Sequence, residues 1–274
     1  MSALVSSRTT CAALSVGLSS WGLAQADLAA IAGLRKCLPP WSAPGAAGHF
    51  LKHADEQTVV AVQAIDRAIR EQQLDVREQA NWPIVAAPRF PGRLAGIDAL
   101  KRFTTGGGPA LSPQLIAQHS LHSLSGALSV LLGSRGPNVG IGGGADALRE
   151  GLLTALTMAR PRSASGAWLV LTAWNPEPVV ADDGTVQNHP VCQAVALALS
   201  LSGHSTQAGR LSLRGDAGTP AALYDERPLP LAELYDQLDW LAAGGTSRFT
   251  WRLDWGATIV LEARKSAARL AAAA

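Results

Sequence analysis

The sequence predicts a layered α/β fold: a mixed, mostly parallel sheet with helices on both faces. Two observations carry this expectation. Segments with apolar residues three and four positions apart alternate with short continuous apolar runs of strand length. The 274 residues are also 47% hydrophobic and only 16% charged, enough to fill a large core and too apolar for a disordered chain. The connections are short and rich in Gly and Pro, which favours a single domain over residues 1–274.

The elements follow in order. Leu14–Trp21 is an apolar strand carrying Gly17, and Asp27–Leu34 is the helix after it. A Pro/Gly/Ala loop from Pro39 to Gly48 precedes a helix over Asp55–Gln73, where Val59, Val62, Ile65, Ala68 and Ile69 share a face and Asp55 is the cap. Pro83–Ala87 is a short buried strand stopped by Pro88 and Pro91-Gly92. Leu94–Phe103 is helical until Gly106–Gly108, and Ser112-Pro113 opens a largely helical stretch over Leu115–Leu132. Val139–Ile141 forms a strand, Gly140–Gly144 a turn, and Asp146–Met158 a helix with a broad stripe of Leu148, Leu152, Leu153, Leu156 and Met158. Ala167–Ala173 is a strand buried on both faces, Asp182-Asp183-Gly184 a turn, and Val195–Leu201 and Arg210–Arg214 are further strands. Leu229–Ala243 returns to helix, Phe249–Arg264 closes with a strand around Thr258–Leu261, and Ala267–Ala274 is a frayed helix or tail.

Composition excludes several functions. A net charge of +2 and a pI near 8.6, with nothing more basic than Arg264-Lys265 and Arg269, give no nucleic-acid footprint. Cys11, Cys37 and Cys192 are scattered and odd in number, so they form neither a disulfide framework nor a zinc site, and a reducing cytoplasm fits. The longest apolar runs are too short to span a membrane. The low charge points to apolar surface covered by a partner. A second reading of the N-terminus is a secretory signal, with Arg8, an apolar run from Cys11 and an A-x-A site at Ala24-Gln25-Ala26. Ser15, Gly17, Ser19 and Ser20 interrupt that run and favour the strand.

The motif candidates are mostly structural. Gly140–Gly144 lacks both the P-loop Lys and the GxGxxG spacing. Ser123 and Ser125 lie in no GxSxG elbow and read as polar packing residues of a helix. His119 and His122, three apart, could ligate a metal, but with no third ligand they read as core or interface histidines.

One segment says more. Leu111-Ser112-Pro113 through Ser123-Leu-Ser-Gly126 to Gly136-Pro137-Asn138, followed by a short apolar strand and a Gly-rich turn, resembles the core of the β-ketoacyl synthase family. With the opening strand and helix, the Asp55 helix and the Ala167 and Val195 strands, the resemblance covers residues 12–202. Residues 203–262 are divergent closing elements, and 263–274 are the Ala-rich tail. It implies a thiolase-like fold equivalent to the N-terminal half of such an enzyme.

In that family the turn carries a nucleophilic Cys; counting from Gly136-Pro137-Asn138 places Ala145 there, and a methyl group cannot attack a thioester. Two histidines, in a His-Gly-Thr and a Gly-His motif, stabilise the enolate. None of His49, His53, His119, His122, His189 and His204 begins a His-Gly-Thr run, and Gly203-His204-Ser205 lacks the Gly/Ala helix that should follow. No catalytic residue is therefore expected, and neither a cofactor nor a metal.

The chain is most similar to the short subgroup known as chain length factors, whose Ser-Val-His-Asn segment is matched by Ser120-Leu121-His122-Ser123, with Ser in place of Asn. That resemblance implies a heterodimer with a catalytic β-ketoacyl synthase and an acyl carrier protein as partner, in fatty acid, polyketide or aryl polyene assembly. It places Asn138–Gly142 at the dimer interface and Leu115–Leu131 along the acyl tunnel. His122, Ser125, Asn138, Val139 and Ile141 are its interface or tunnel residues. An acyl-thioester enzyme of the same fold using another group, and a carrier-protein-binding pseudoenzyme, remain as alternatives.

Overall fold

The computed structural model describes residues 14–46, 49–158, 164–200, 208–215, 230–242, 246–253 and 257–264. Its strands are β1 (Leu14–Asp27), β2 (Ile84–Pro88), β3 (Asn138–Gly140), β4 (Gly166–Asn175), β5 (Val191–Ser200), β6 (Gly209–Gly215), β7 (Thr246–Arg252) and β8 (Ala257–Arg264). Its helices are α1 (Leu28–Leu34), α2 (Glu56–Gln72), α3 (Arg93–Gly106), α4 (Leu115–His119), α5 (Ser123–Leu132), α6 (Ala147–Met158) and α7 (Leu231–Ala242). The first 13 residues, Gly203-His204-Ser205, Lys265, Arg269 and the Ala-rich tail lie outside the described residues.

The strands form one sheet in the order β3-β2-β4-β5-β1-β6-β8-β7. The layered α/β class holds, but the pairing is mostly antiparallel: only β2 with β3 and β2 with β4 are parallel, against five antiparallel pairs. The cause is where the helices fall. Strands β1 to β4 are separated by helices and all run one way, as a helical crossover requires. Between β4 and β5 there is no helix, only a loop whose Val180 and Val186 bridge around a turn at Asp183-Gly184. β5 therefore returns antiparallel and inserts between β4 and β1, separating strands that would otherwise have paired in parallel.

Alternation along these strands builds two cores. On one face Ala24, Ile84, Ala86, Trp168, Val170, Cys192, Ala194 and Ala196 pack against α1, α2 and α5. On the other, Val85, Leu169, Leu171, Val195, Leu197, Leu211, Ile259 and Leu261 pack against α6 and α7. At β1 and β5 this face carries small side chains, Ala24, Ala194 and Ala196, and α2 lies close to it there. A Cβ on Gly22 would meet the backbone of Ala64 and Ala68, so only Gly lets α2 sit there. The Ser20 hydroxyl donates to the Ala68 carbonyl at 2.7 Å and an Arg67 guanidinium donates to the Leu23 carbonyl, which ties α2 to β1.

Asp55 caps α2 as expected, its Oδ1 accepting from the Gln57 amide at 2.9 Å. β1 extends six residues past the expected Trp21, to Asp27, which caps α1. Ala24 and Ala26 are buried within it and paired with β5. Cleavage after Ala26 would remove a strand from the middle of the sheet.

The stretch over Leu115–Leu132 is two helices rather than one. Ser120 is extended (φ −78°, ψ 168°), and the Ser123 hydroxyl donates to its carbonyl at 2.7 Å, a local alternative to continuing the helix. The chain also closes with two strands, β7 and β8, where a single one was expected.

Candidate functional site

The turn between β3 and α6 is built by glycines. The Ile141 amide donates to Ala86 at 2.9 Å, which continues the pairing with β2. Gly142 and Gly143 then adopt φ +83° and +84°, a region L side chains rarely enter. Gly143 is clamped on both sides: its amide donates to the Pro88 carbonyl, and its carbonyl accepts from the Phe90 amide, each at 3.1 Å. Ala145 follows, half-buried, two residues before α6, at a strand-to-helix turn as expected. Its side chain is a methyl group, so the turn presents no nucleophile there.

β3 is an edge strand, paired on one side only. Its other edge is partly occupied: His122 Nδ1 accepts the Gly140 amide at 3.2 Å. A neutral His122 therefore carries its proton on Nε2. A Cβ on Gly140 would collide with the Leu121 carbonyl, so the start of α5 lies directly on β3. Asn138 is exposed, and Val139 is half-buried. Ile141 is half-buried and packs on the α6 side of the sheet.

A cleft of about 460 Å³ opens beside the edge strand, between the segment before α2 and the α4–α5 pair. Its wall includes Phe50, Thr58, His122, Gly126, Ala127 and Val130. Ser125 is fully buried behind it and donates to the His122 carbonyl at 3.2 Å, while Ser123 donates to Ser120. Both hydroxyls serve the helix start, as their surroundings in the sequence suggest. The structure thus brings His122, Asn138, Val139 and Ile141 to one corner of the sheet. Ser125 is held behind them.

No protein-family model and no curated protein sequence matches the chain. Solved structures do. A chain of the complex of the ketosynthase ApeO with its chain length factor ApeC from Xenorhabdus doucetiae superposes with TM-score 0.53 at 17% identity, over 92% of this chain and 100% of that one. A chain of AntDE:AntF, a type II polyketide synthase acyl carrier protein in complex with its ketosynthase, gives TM-score 0.57 at 13% identity, over 92% and 99%. The ishigamide ketosynthase/chain length factor gives 0.52 at 15%, over 92% and 99%. This is the ketosynthase fold. The match covers 92% of this chain, more than the residues 12–202 that carry the sequence resemblance.

Within this ketosynthase fold, a buried polar network next to the turn was not foreseen. Gln57 is buried; its Nε2 donates to the Arg89 carbonyl at 2.8 Å, and its Oε1 accepts from Thr172 at 2.6 Å. It fixes the chain at Phe90, a non-glycine residue at φ +48° whose amide holds Gly143. Asp55 Oδ2 accepts from the Gly92 amide at 2.9 Å and lies 3.6 Å from His119 Nδ1. Asp55 thus caps a helix and anchors a loop, and His119 and His122, three residues apart, serve different partners. Polar residues inside the apolar run of α2 were the available signal.

Burial drives the Glu56 carboxyl above its ordinary range, reinforced by Asp55 and opposed by Arg35, which pairs with it at 2.6 Å. Burial likewise raises the thiol of Cys192, in the α2-side core, well above the ordinary cysteine range, which keeps it protonated and unreactive. Among the described residues no His, Cys, Asp or Glu cluster of three could hold a metal, and no helix is long and apolar enough to cross a membrane.

Proposed function

We propose that this chain is a non-catalytic β-ketoacyl synthase-like subunit of the chain length factor type. It pairs with an active ketosynthase in fatty acid, polyketide or aryl polyene assembly and has no activity of its own. The observation that carries the reading is the pairing of a ketosynthase fold with Ala145 at the turn where a thiolate is required. The partner supplies the Cys and both histidines, an acyl carrier protein delivers the chain, and the assembly is cytoplasmic.

β3, at a sheet edge that His122 covers at Gly140 but that leaves Asn138 exposed, offers the surface through which the subunits pair. The cleft lined by Gly126, Ala127 and Val130 lies next to that edge, where bulk can stop a growing chain through overpacking. Co-expression with a ketosynthase, size-exclusion chromatography and product analysis test this. A stable complex that forms a product the ketosynthase alone does not make is the expected result; separate elution of the two chains sinks it. Asn138→Lys, placed on exposed backbone, should abolish co-elution and leave the isolated subunit's circular dichroism unchanged.

A further inference from the structure

The cleft between the segment before α2 and the α4–α5 pair carries a polar group that the fold does not use. Thr58 lies in the first turn of α2, is 1% exposed and lines the cleft. Its hydroxyl oxygen is buried and has no hydrogen-bond partner among the described residues. Within a helix such a hydroxyl commonly bonds the carbonyl one turn earlier; this one does not. An unpaired buried hydroxyl destabilises the fold, so its place on a cleft wall points to a ligand.

His122 supplies a second donor. Its Nδ1 accepts from the Gly140 amide, which leaves a neutral ring its proton on Nε2, and the exposed side chain lines the same cleft. The Ser123 hydroxyl, also on the wall, is already spent on the Ser120 carbonyl. Phe50, Ala54, Ala117, Ala127 and Val130 make most of the remaining wall apolar, and the volume of about 460 Å³ is that of a small-molecule site.

The chemistry of the walls selects the occupant. Among the described residues the lining holds no Lys or Arg; His53 and His122 are its ionisable side chains. Asp55 caps α2 three residues before Thr58, so a carboxylate or phosphate beside Thr58 would meet a like charge. A plain hydrocarbon would leave both donors unpaired. An apolar chain carrying neutral oxygens satisfies them. A poly-β-keto chain has a carbonyl on every second carbon, each an acceptor, whereas a reduced alkyl or polyene chain has none.

We propose that the cleft takes the distal part of a growing poly-β-keto chain, with Thr58 and His122 donating to its carbonyls, and that Thr58 sets the preference for an unreduced over a reduced chain. This rests on the function proposed above. It narrows that function from fatty acid, polyketide and aryl polyene assembly to unreduced polyketides.

The test gives the full chain, in complex with its ketosynthase, two competing primers on the carrier protein: decanoyl, and the chain of equal length that ends in a methyl ketone. Mass spectrometry reads the ratio of elongated products. Wild type should favour the ketone, Thr58→Val should lower that preference about fivefold, and Thr58→Ser should retain it. A wild-type complex that treats both primers alike, or a Thr58→Val preference within about twofold of wild type, overturns the proposal. Thr58→Val keeps the side-chain shape and removes an unpaired hydroxyl, so its urea midpoint should match or exceed that of wild type. A clear fall in that midpoint would assign the hydroxyl to the fold and overturn the proposal as well.

A second measurement needs no partner. Methyl nonyl ketone should raise the melting temperature of the wild-type chain more than that of Thr58→Val. Equal shifts overturn the proposal, and so does a larger shift of wild type by decanoate at the same concentration, which assigns the cleft to an anion. If no ketosynthase pairs with the chain, the proposed function falls and this shift alone decides the cleft. A productive complex without the ketone preference removes only the role of Thr58.

Discussion

Gly140→Ala probes the junction of the edge strand with α5. The added Cβ would overlap the Leu121 carbonyl and lie 2.6 Å from its carbon and 3.0 Å from the His122 Cα, all backbone atoms that no rotamer change can move aside. The start of α5 must retreat by roughly an ångström, an overpacking cost of about 1 to 3 kcal/mol. The same retreat stretches the 3.2 Å bond from the Gly140 amide to His122, worth about 0.5 to 1.5 kcal/mol. The expected loss is about 2 to 4 kcal/mol, a fall of about 5 to 10 °C in melting temperature for a chain of this size. Gly126→Ala is the matched control. It lies in α5 with nothing within 4 Å of its new methyl group, and it should stabilise by up to about 1 kcal/mol through helix propensity. Urea titration of the two variants reads the difference directly. A Gly140→Ala loss below about 0.5 kcal/mol, or equal effects of the two substitutions, would refute the contact between α5 and β3.

Three further outcomes follow from the site. Ala145→Cys should restore a thiol at the turn without restoring condensation by the isolated subunit, and steady turnover of malonyl thioester by that variant would contradict the missing-histidine reasoning. Because Glu56 titrates above its ordinary value when folded, the native state holds more protons than the unfolded one just above pH 4.5, so this group's contribution to stability falls as pH rises through that window. Comparison with Glu56→Gln by urea titration at pH 4 to 7 should show wild type losing stability relative to the variant, and the opposite slope would refute the assignment. Iodoacetamide should label the exposed Cys37 in the native protein but reach Cys192 only on unfolding, which peptide mass spectrometry can follow.

What the sequence made legible was local and periodic. Asp55 caps the helix at which its type and position point, and the runs at Pro83, Ala167 and Val195 are strands. Pairing direction was not legible, because it depends on whether a loop such as 176–190 contains a helix, and apolar runs look alike in parallel and antiparallel neighbours. β7 was missed although Arg248-Phe249-Thr250-Trp251-Arg252 alternates strictly, since the buried run at Thr258–Leu261 dominated that stretch. The break at Ser120 goes with the bond from the Ser123 hydroxyl to its carbonyl, which a helical apolar pattern does not encode. At the site, the Gly-rich turn and Ala145 could be read directly. The support from Gln57, Thr172 and Phe90 could not, because buried polar residues show themselves only through their partners.

The shape of the turn does not depend on the side chain at residue 145. Chemistry there requires one atom, a sulfur on residue 145, whereas folding requires the left-handed pair Gly142-Gly143 and the clamp from Pro88 and Phe90. A Cβ on Gly142 would lie 2.8 Å from Ala147, the first residue of α6, so the same glycine that sharpens the turn also sets where the helix begins. Replacing a thiol by a methyl group at a half-buried position leaves these constraints untouched. Losing Gly142 would displace α6, whose Leu148, Leu152 and Leu156 fill the core beneath β2 and β4. A methyl group at residue 145 therefore costs the fold little, whereas the turn into α6 depends on the glycines before it.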